Sequence, residues 1–206
     1  QAPHDEALKV LTMPKDYAFE LHFREVRGAV YYSMNRVDEA RAEYETIRVG
    51  LAKDTGELKR FLGGHLDYGY ALLVDGQADG ALEIFDVALQ KSRALVGDRH
   101  RNTAGIRGLI ARARAALGDR ARALREFREA TELLLAASPD ADEETGIQAA
   151  DQRLGSLLVA YIRLLADVRG TALEREAGMD AAAEAFRLAD VVRGRSVQRA
   201  LDAGAA

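Results

Sequence analysis

Apolar positions recur every three to four residues along almost the whole chain, which is the period of an α-helix with one buried stripe. In the stretch Asp79–Ala88, together with its neighbours, Ala78, Ala81, Leu82, Phe85, Ala88 and Leu89 fall on one face. The pattern small, then aromatic four residues on, then small or apolar after three more occurs four times. It reads Ala40, Tyr44, Ile47; then Ala81, Phe85, Ala88; then Ala123, Phe127, Ala130; then Ala182, Phe186, Ala189. Twelve residues before each leading alanine stands another small residue: Gly28, Gly69, Ala111 and Gly170. Successive copies are offset by 41, 42 and 59 residues.

A shared phase of this kind predicts antiparallel helix pairs. A small residue on the first helix lets the second approach, and the aromatic fills the space between successive pairs. One pair cannot bury its apolar face alone, so pairs must stack. Turn residues agree with this division. Met34-Asn35-Arg36, Asp75-Gly76-Gln77, Gly118-Asp119 and Gly178-Met179-Asp180 each separate two periodic segments, with glycine ending one helix and aspartate placed to cap the next. Ser138-Pro139-Asp140 is a further break, because proline forces its predecessor out of the helical region.

The helices expected are near 16–33, 37–53, 57–74, 78–95, 101–117, 120–137, 144–177 and 180–202, with a short one around Asp5–Leu11. They form pairs at about 16–54, 57–96, 99–137 and 144–203, giving one repeat domain over 1–206 and no strand.

The pattern resembles the tetratricopeptide repeat, whose helix pair carries a small residue and an aromatic in its first helix and Ala-x3-Phe-x2-Ala in its second. The likeness runs from about Asp16 to Leu201. The first-helix Trp and the closing Pro of that repeat are missing, and the spacing exceeds its usual length of about 34 residues. It is closer to the subclass of about 42 residues, whose connecting loop reads G-x-x-H-P-x-T. Gly97-Asp98-Arg99-His100-Arg101-Asn102-Thr103 matches that loop except that Arg101 replaces the proline.

The resemblance implies an all-α, right-handed superhelix that binds a peptide or helix in a concave groove and carries no catalytic residues. Repeat phase then places His22, Glu25 and Tyr32 of the first copy in the groove, Leu66, Tyr70 and Leu73 of the second, and Arg112 of the third. Tyr31 and Tyr68 fit the core better. The segment Ala185–Leu201 also resembles the last repeat helix before the peptidase domain of CHAT-family caspase-like proteins. That likeness implies a bacterial scaffold or sensor with a further domain beyond residue 206. The last helix is also expected to be a docking helix, with Leu188, Val191, Val192 and Leu201 on an apolar face that no following repeat fully covers.

Composition narrows the chemistry. With no cysteine among 206 residues, thiolate zinc, iron–sulfur clusters and a cysteine nucleophile are excluded within this chain. The histidines His4, His22, His65 and His100 lack metal-ligand spacing, so no metal or cofactor is expected. Gly63-Gly64 and Gly105-x-x-Gly108 follow no strand and no P-loop lysine, so close helix packing accounts for them. Glu143-Glu144, Glu174 and Glu176 read as solvated helix faces.

Net charge is −4, which advertises neither nucleic acid nor membrane, and no apolar run reaches a membrane span. The compartment stays open, with the cytoplasm favoured over the periplasm or export. Charge is nonetheless segregated: nine arginines lie in 99–128 against Asp119 and Glu126, and 138–152 holds five carboxylates and no Lys or Arg. Three readings follow: pairing inside the chain, an acidic protein partner, or nucleic acid. The last is disfavoured because no aromatics interleave to stack bases. Arg112 is expected to meet either a ligand carboxylate or the chain's own Asp140–Glu144.

Overall fold

The structure is a computed structural model and describes residues 17–136 and 147–204. Among these residues there are ten helices and no strand. They are α1 (Tyr17–Ser33), α2 (Val37–Gly50), α3 (Thr55–Leu62), α4 (Leu66–Val74), α5 (Ala78–Val96), α6 (Arg101–Ala116), α7 (Arg120–Ala136), α8 (Ile147–Val168), α9 (Ala172–Glu176) and α10 (Ala181–Gly204). The chain divides into two compact units, residues 1–91 and 92–206, the boundary falling within α5. The expected helix at Asp5–Leu11 lies outside the described residues, as does the part of the acidic stretch from Ser138 to Gly146.

The tight turns between paired helices share one closure. After α6, Gly118 sits at φ +82° in the left-handed region that glycine tolerates. The Gly118 N–H donates to the Ala115 carbonyl at 3.1 Å and the Asp119 N–H to the Arg114 carbonyl at 2.9 Å. This is the two-bond motif that satisfies the last carbonyls of a helix. Asn35 at φ +59° does the same after α1, its N–H donating to Tyr32 and that of Arg36 to Tyr31. Side chains open the helices that follow. Asp54 accepts from the Gly56 and Glu57 N–H groups, and Asp180 accepts from the Ala183 N–H at 2.9 Å.

In the first unit the small-residue rule is visible atom by atom. A Cβ on Gly28 would lie 2.7 Å from the Tyr44 ring, and one on Gly69 would lie 2.5 Å from the Phe85 ring. Both distances are below van der Waals contact, so each glycine is what lets the aromatic of the next helix lie flat against its backbone. Ala40, Tyr44, Ile47, Ala81, Phe85 and Ala88 are all buried. Tyr44 and Tyr68 lie 5.2 Å apart, and Phe61 and His65 close the ring cluster at 4.7 Å.

The second unit buries Ala111, Ala123, Phe127 and Leu134 with Leu154, Leu157, Leu158, Tyr161, Leu165, Ala181 and Leu188. Phe127 stacks on Tyr161 at 5.1 Å and 11°. The connecting loop closes on Thr103, fully buried, whose hydroxyl donates to the Gly97 carbonyl and meets the Ser92 hydroxyl, both at 2.8 Å. His100 caps α6, its Nδ1 accepting from the Asn102 N–H at 3.1 Å.

Several expectations are corrected. The helix expected over 57–74 is two, α3 and α4, because Gly63-Gly64 end a helix and His65 starts another. Only Gly63 also makes a close approach, with Val87 at 3.3 Å. The helix expected over 144–177 ends at Val168, and α9 follows as a separate turn. Gly108 packs against Leu157 as expected, whereas Gly105 faces open space.

The fourth copy is one residue out of phase. Phe186 is 76% exposed and Ala189 is exposed, while Ala181 and Leu188 are buried and Ala185 packs on them. The packed triad is Ala181, Ala185, Leu188. Gly170, at φ +74° in the exposed turn after α8, is a helix terminator rather than a packing position. The face Leu188, Val191, Val192 turns inward onto the core, and the side chain of Leu201 is outside the described residues.

Candidate functional site

In the first unit α1 carries His22, Glu25 and Tyr32, α4 carries Leu66, Tyr70 and Leu73, and the two helices meet at Tyr32 and Tyr70. Tyr32 and Tyr70 meet edge to face, with ring centroids 6.0 Å apart and planes at 84°. An edge-to-face pair of this kind stabilises by about 0.5–1.5 kcal/mol beyond area burial and holds both rings at fixed angles. Both tyrosines, Glu25, Leu66 and Leu73 are half-buried, and His22 is exposed. Further along α1, Phe19 and Val26 are also exposed.

Beneath this face lies a polar network that repeat phase did not indicate. His65 presents Nε2 at 3.4 Å from Glu25 Oε1 and Nδ1 at 4.0 Å from Asp67 Oδ1. Glu25 reaches back to His22 Nδ1 at 3.6 Å. The Tyr44 hydroxyl donates to Asp67 Oδ2, and the Tyr68 hydroxyl donates to Glu45 Oε2 at 2.6 Å. Burial, then the adjacent Asp67 charge, pushes the Tyr44 phenol well above its ordinary range. Burial and the bond to Glu45 do the same for Tyr68. Arg48, followed by Tyr68, holds the Glu45 carboxyl below its usual value. Both phenols therefore stay protonated at neutral pH and act as hydrogen-bond donors that fix helix positions, not as bases or nucleophiles. His65 and Asp67 were hidden from sequence because three helices must meet before they do.

Arg112 sits half-buried on α6 beside the buried Ala111. Its expected internal partners, Asp140–Glu144, are outside the described residues. Several other arginines of the basic stretch are engaged within their own unit. Arg107 reaches Asp98 at 2.8 Å and Glu129 at 3.2 Å, Arg114 pairs with Glu126, and Arg122 lies 3.5 Å from Asp119. Arg93, then Arg107, holds the Asp98 carboxyl below the usual carboxylate range. The carboxylates that neutralise the stretch thus include Asp98 and Glu129, just outside the window in which the sequence showed an excess of arginine.

A second concavity, about 690 Å³, opens between α7 and α10, lined among others by Arg128, Glu132, Leu135, Met179, Ala183 and Arg187. Sequence gave no sign of it, because its two walls are some 50 residues apart. Among the described residues no group of three or more His, Asp or Glu is placed to hold a metal ion, and no helix is long and apolar enough to cross a membrane.

Comparison with known proteins agrees with this geometry. The family model of a tetratricopeptide repeat-like domain matches residues 1–67. No curated protein matches. Among solved structures, the crystal structure of BtubC (BKLC) from P. vanneervenii is similar, with a TM-score of 0.52 at 15% identity, covering 93% of this chain and 72% of that one. At that identity the likeness speaks for the fold. The chain has an all-α, tetratricopeptide repeat-like fold, the kind of scaffold that mediates protein interactions.

Proposed function

We propose that the chain is a non-catalytic recognition module that captures a peptide or helix on the face built by α1 and α4. The supporting observation is the Tyr32–Tyr70 pair, held edge to face between two helices with Leu66 and Leu73 on the same helix as Tyr70. Rigid aromatics with a polar tip provide contact area at low entropic cost. Glu25, tied to His22 and His65, supplies a fixed acceptor at one end.

The test is site-specific photo-crosslinking in the source cell with a benzophenone residue at Tyr70 and, as control, at Val49, an exposed residue of α2. Partners crosslinked from 70 and not from 49, and lost in Tyr32→Ala, support the reading. Equal crosslinking from both positions sinks it.

We further propose that the module serves a larger CHAT-type peptidase protein, on the likeness of Ala185–Leu201 to the helix that leads into that domain. A downstream reading frame with separated His and Cys supports this, and one encoding a DNA-binding domain points instead to a regulatory protein. An acidic segment is the partner that Arg112 would favour, since a guanidinium fork pairs with carboxylates in a way lysine does not reproduce. Arg112→Lys separates the two readings: unchanged melting with weaker binding of an acidic peptide supports a ligand contact, and slightly lower melting with unchanged binding supports pairing inside the chain.

A further inference from the structure

The outer face of α10 carries a packing signature with nothing packed on it among the described residues of its unit. Phe186 is 76% exposed, and Ala182 and Ala189 stand four before and three after it on the same side of the helix. The same spacing in α2 and α5 is covered in each case by a helix whose glycine lies against the aromatic ring. The α10 face therefore has the chemistry of an interface: one large ring flanked by alanines small enough to let another helix approach.

Charge indicates what covers it. Along one flank of this face Arg187 comes first and Asp190 one turn later, both more than half exposed. An identical helix laid antiparallel, about a two-fold axis at the level of Leu188 and Ala189, sets Arg187 opposite Asp190 of the second copy, twice over. The same placement seats each Phe186 between Ala189 and the stem of Arg193 on the other helix. Arg187 bonds Glu184 through Nε and Nη2, so Nη1 remains for the second carboxylate. Asp190 meets Arg193 through Oδ1 and keeps Oδ2. A face complementary to itself in both shape and charge is what an isologous contact requires.

We propose that α10 is a homodimerisation helix, its Ala182–Phe186–Ala189 face packing antiparallel on the same face of a second copy. The contact uses residues of the second unit and shares none with the α1–α4 recognition face of the first.

Sedimentation equilibrium on the 206-residue chain decides it, across a concentration series at low salt. The wild type should show a monomer–dimer equilibrium. Phe186→Glu should be monomeric with unchanged circular dichroism, because the side chain it replaces is outside the core. Arg187→Glu and Asp190→Arg should each weaken the dimer by roughly tenfold, and the double reversal should restore it. A wild type that stays monomeric at its highest soluble concentration overturns the proposal. So does a dimer indifferent to Phe186→Glu, or one that the double reversal fails to recover.

Discussion

At the scale of single residues, the contrast between Phe85 and Phe186 makes the sharpest test. Phe85→Ala empties a fully buried site and should destabilise by about 3–5 kcal/mol in urea titration. Phe186→Ala, at an exposed position, should change stability by less than about 0.5 kcal/mol. Gly69→Ala, the smallest possible change, should cost about 1–3 kcal/mol because its Cβ would enter the Phe85 ring.

Tyr161 behaves in the opposite sense. Its buried hydroxyl has no hydrogen-bond partner among the described residues, and burial pushes the phenol up to about 12. Tyr161→Phe should therefore melt at or above the wild-type temperature. The raised value sets a pH window. The folded state holds the proton that an unfolded tyrosine begins to release near pH 10, so this contribution is intact below about pH 10 and fades towards pH 12. Melting curves over pH 9–12 should fall less steeply for Tyr161→Phe than for the wild type.

At the scale of elements, the aromatic phase of three of the four copies could be read from sequence for a simple reason. Where one aromatic stands among alanines, as Tyr44, Phe85 and Phe127 do, a single phase fits. In α10, alanines at 181, 182, 183, 185 and 189 satisfy two phases at once, and Phe186 draws the reading to the wrong one. The inward row Leu188, Val191, Val192 carries more apolar area and decides the helix's true orientation. Similarly, Gly63-Gly64 is visible in sequence, but whether two glycines mark packing or a break depends on what lies opposite. Tyr32 and Tyr70 were accessible to repeat phase because each position follows from its own helix. The His65 network was not, since it requires the relative placement of α1, α2 and α4.

The connection from α8 to α10 turns on Glu174, whose carboxylate accepts from the Gly170 N–H at 2.6 Å and the Ala181 N–H at 2.7 Å. These two backbone bonds hold its carboxyl below the usual value. A lowered value means the stabilisation is present above the ordinary glutamate range and is lost as pH falls through it. Glu174→Gln should lower the melting temperature at pH 7 and narrow the difference from wild type at pH 3.

At the scale of the molecule, the arginine excess in 99–128 counts for less than its number suggests. Arg107, Arg114 and Arg122 are held by carboxylates of the same unit, and the whole chain is net negative. A protein that grips phosphate backbones with many arginines loses affinity steeply as salt rises. Filter binding of single-stranded DNA or RNA over a salt series should here show weak retention and a shallow slope. A steep negative slope would restore the nucleic-acid reading.

Two hydrogen bonds in the first unit, each spanning 23 residues, run in opposite directions: Tyr44 of α2 donates to Asp67 of α4, and Tyr68 of α4 donates to Glu45 of α2. Apolar ridges alone allow two helices to slide past each other by a turn with little change in buried area. Paired phenol–carboxylate bonds of opposite sense fit a single alignment, because any slip parts both at once. They function as a key cut in two directions, which lets the chain between α2 and α4 bend at Gly63-Gly64 without shifting the helices it joins. Replacing both tyrosines by phenylalanine keeps the core volume and removes the key. The doubly substituted protein should remain helical, yet give more than one set of amide resonances for 37–74, where the wild type gives one.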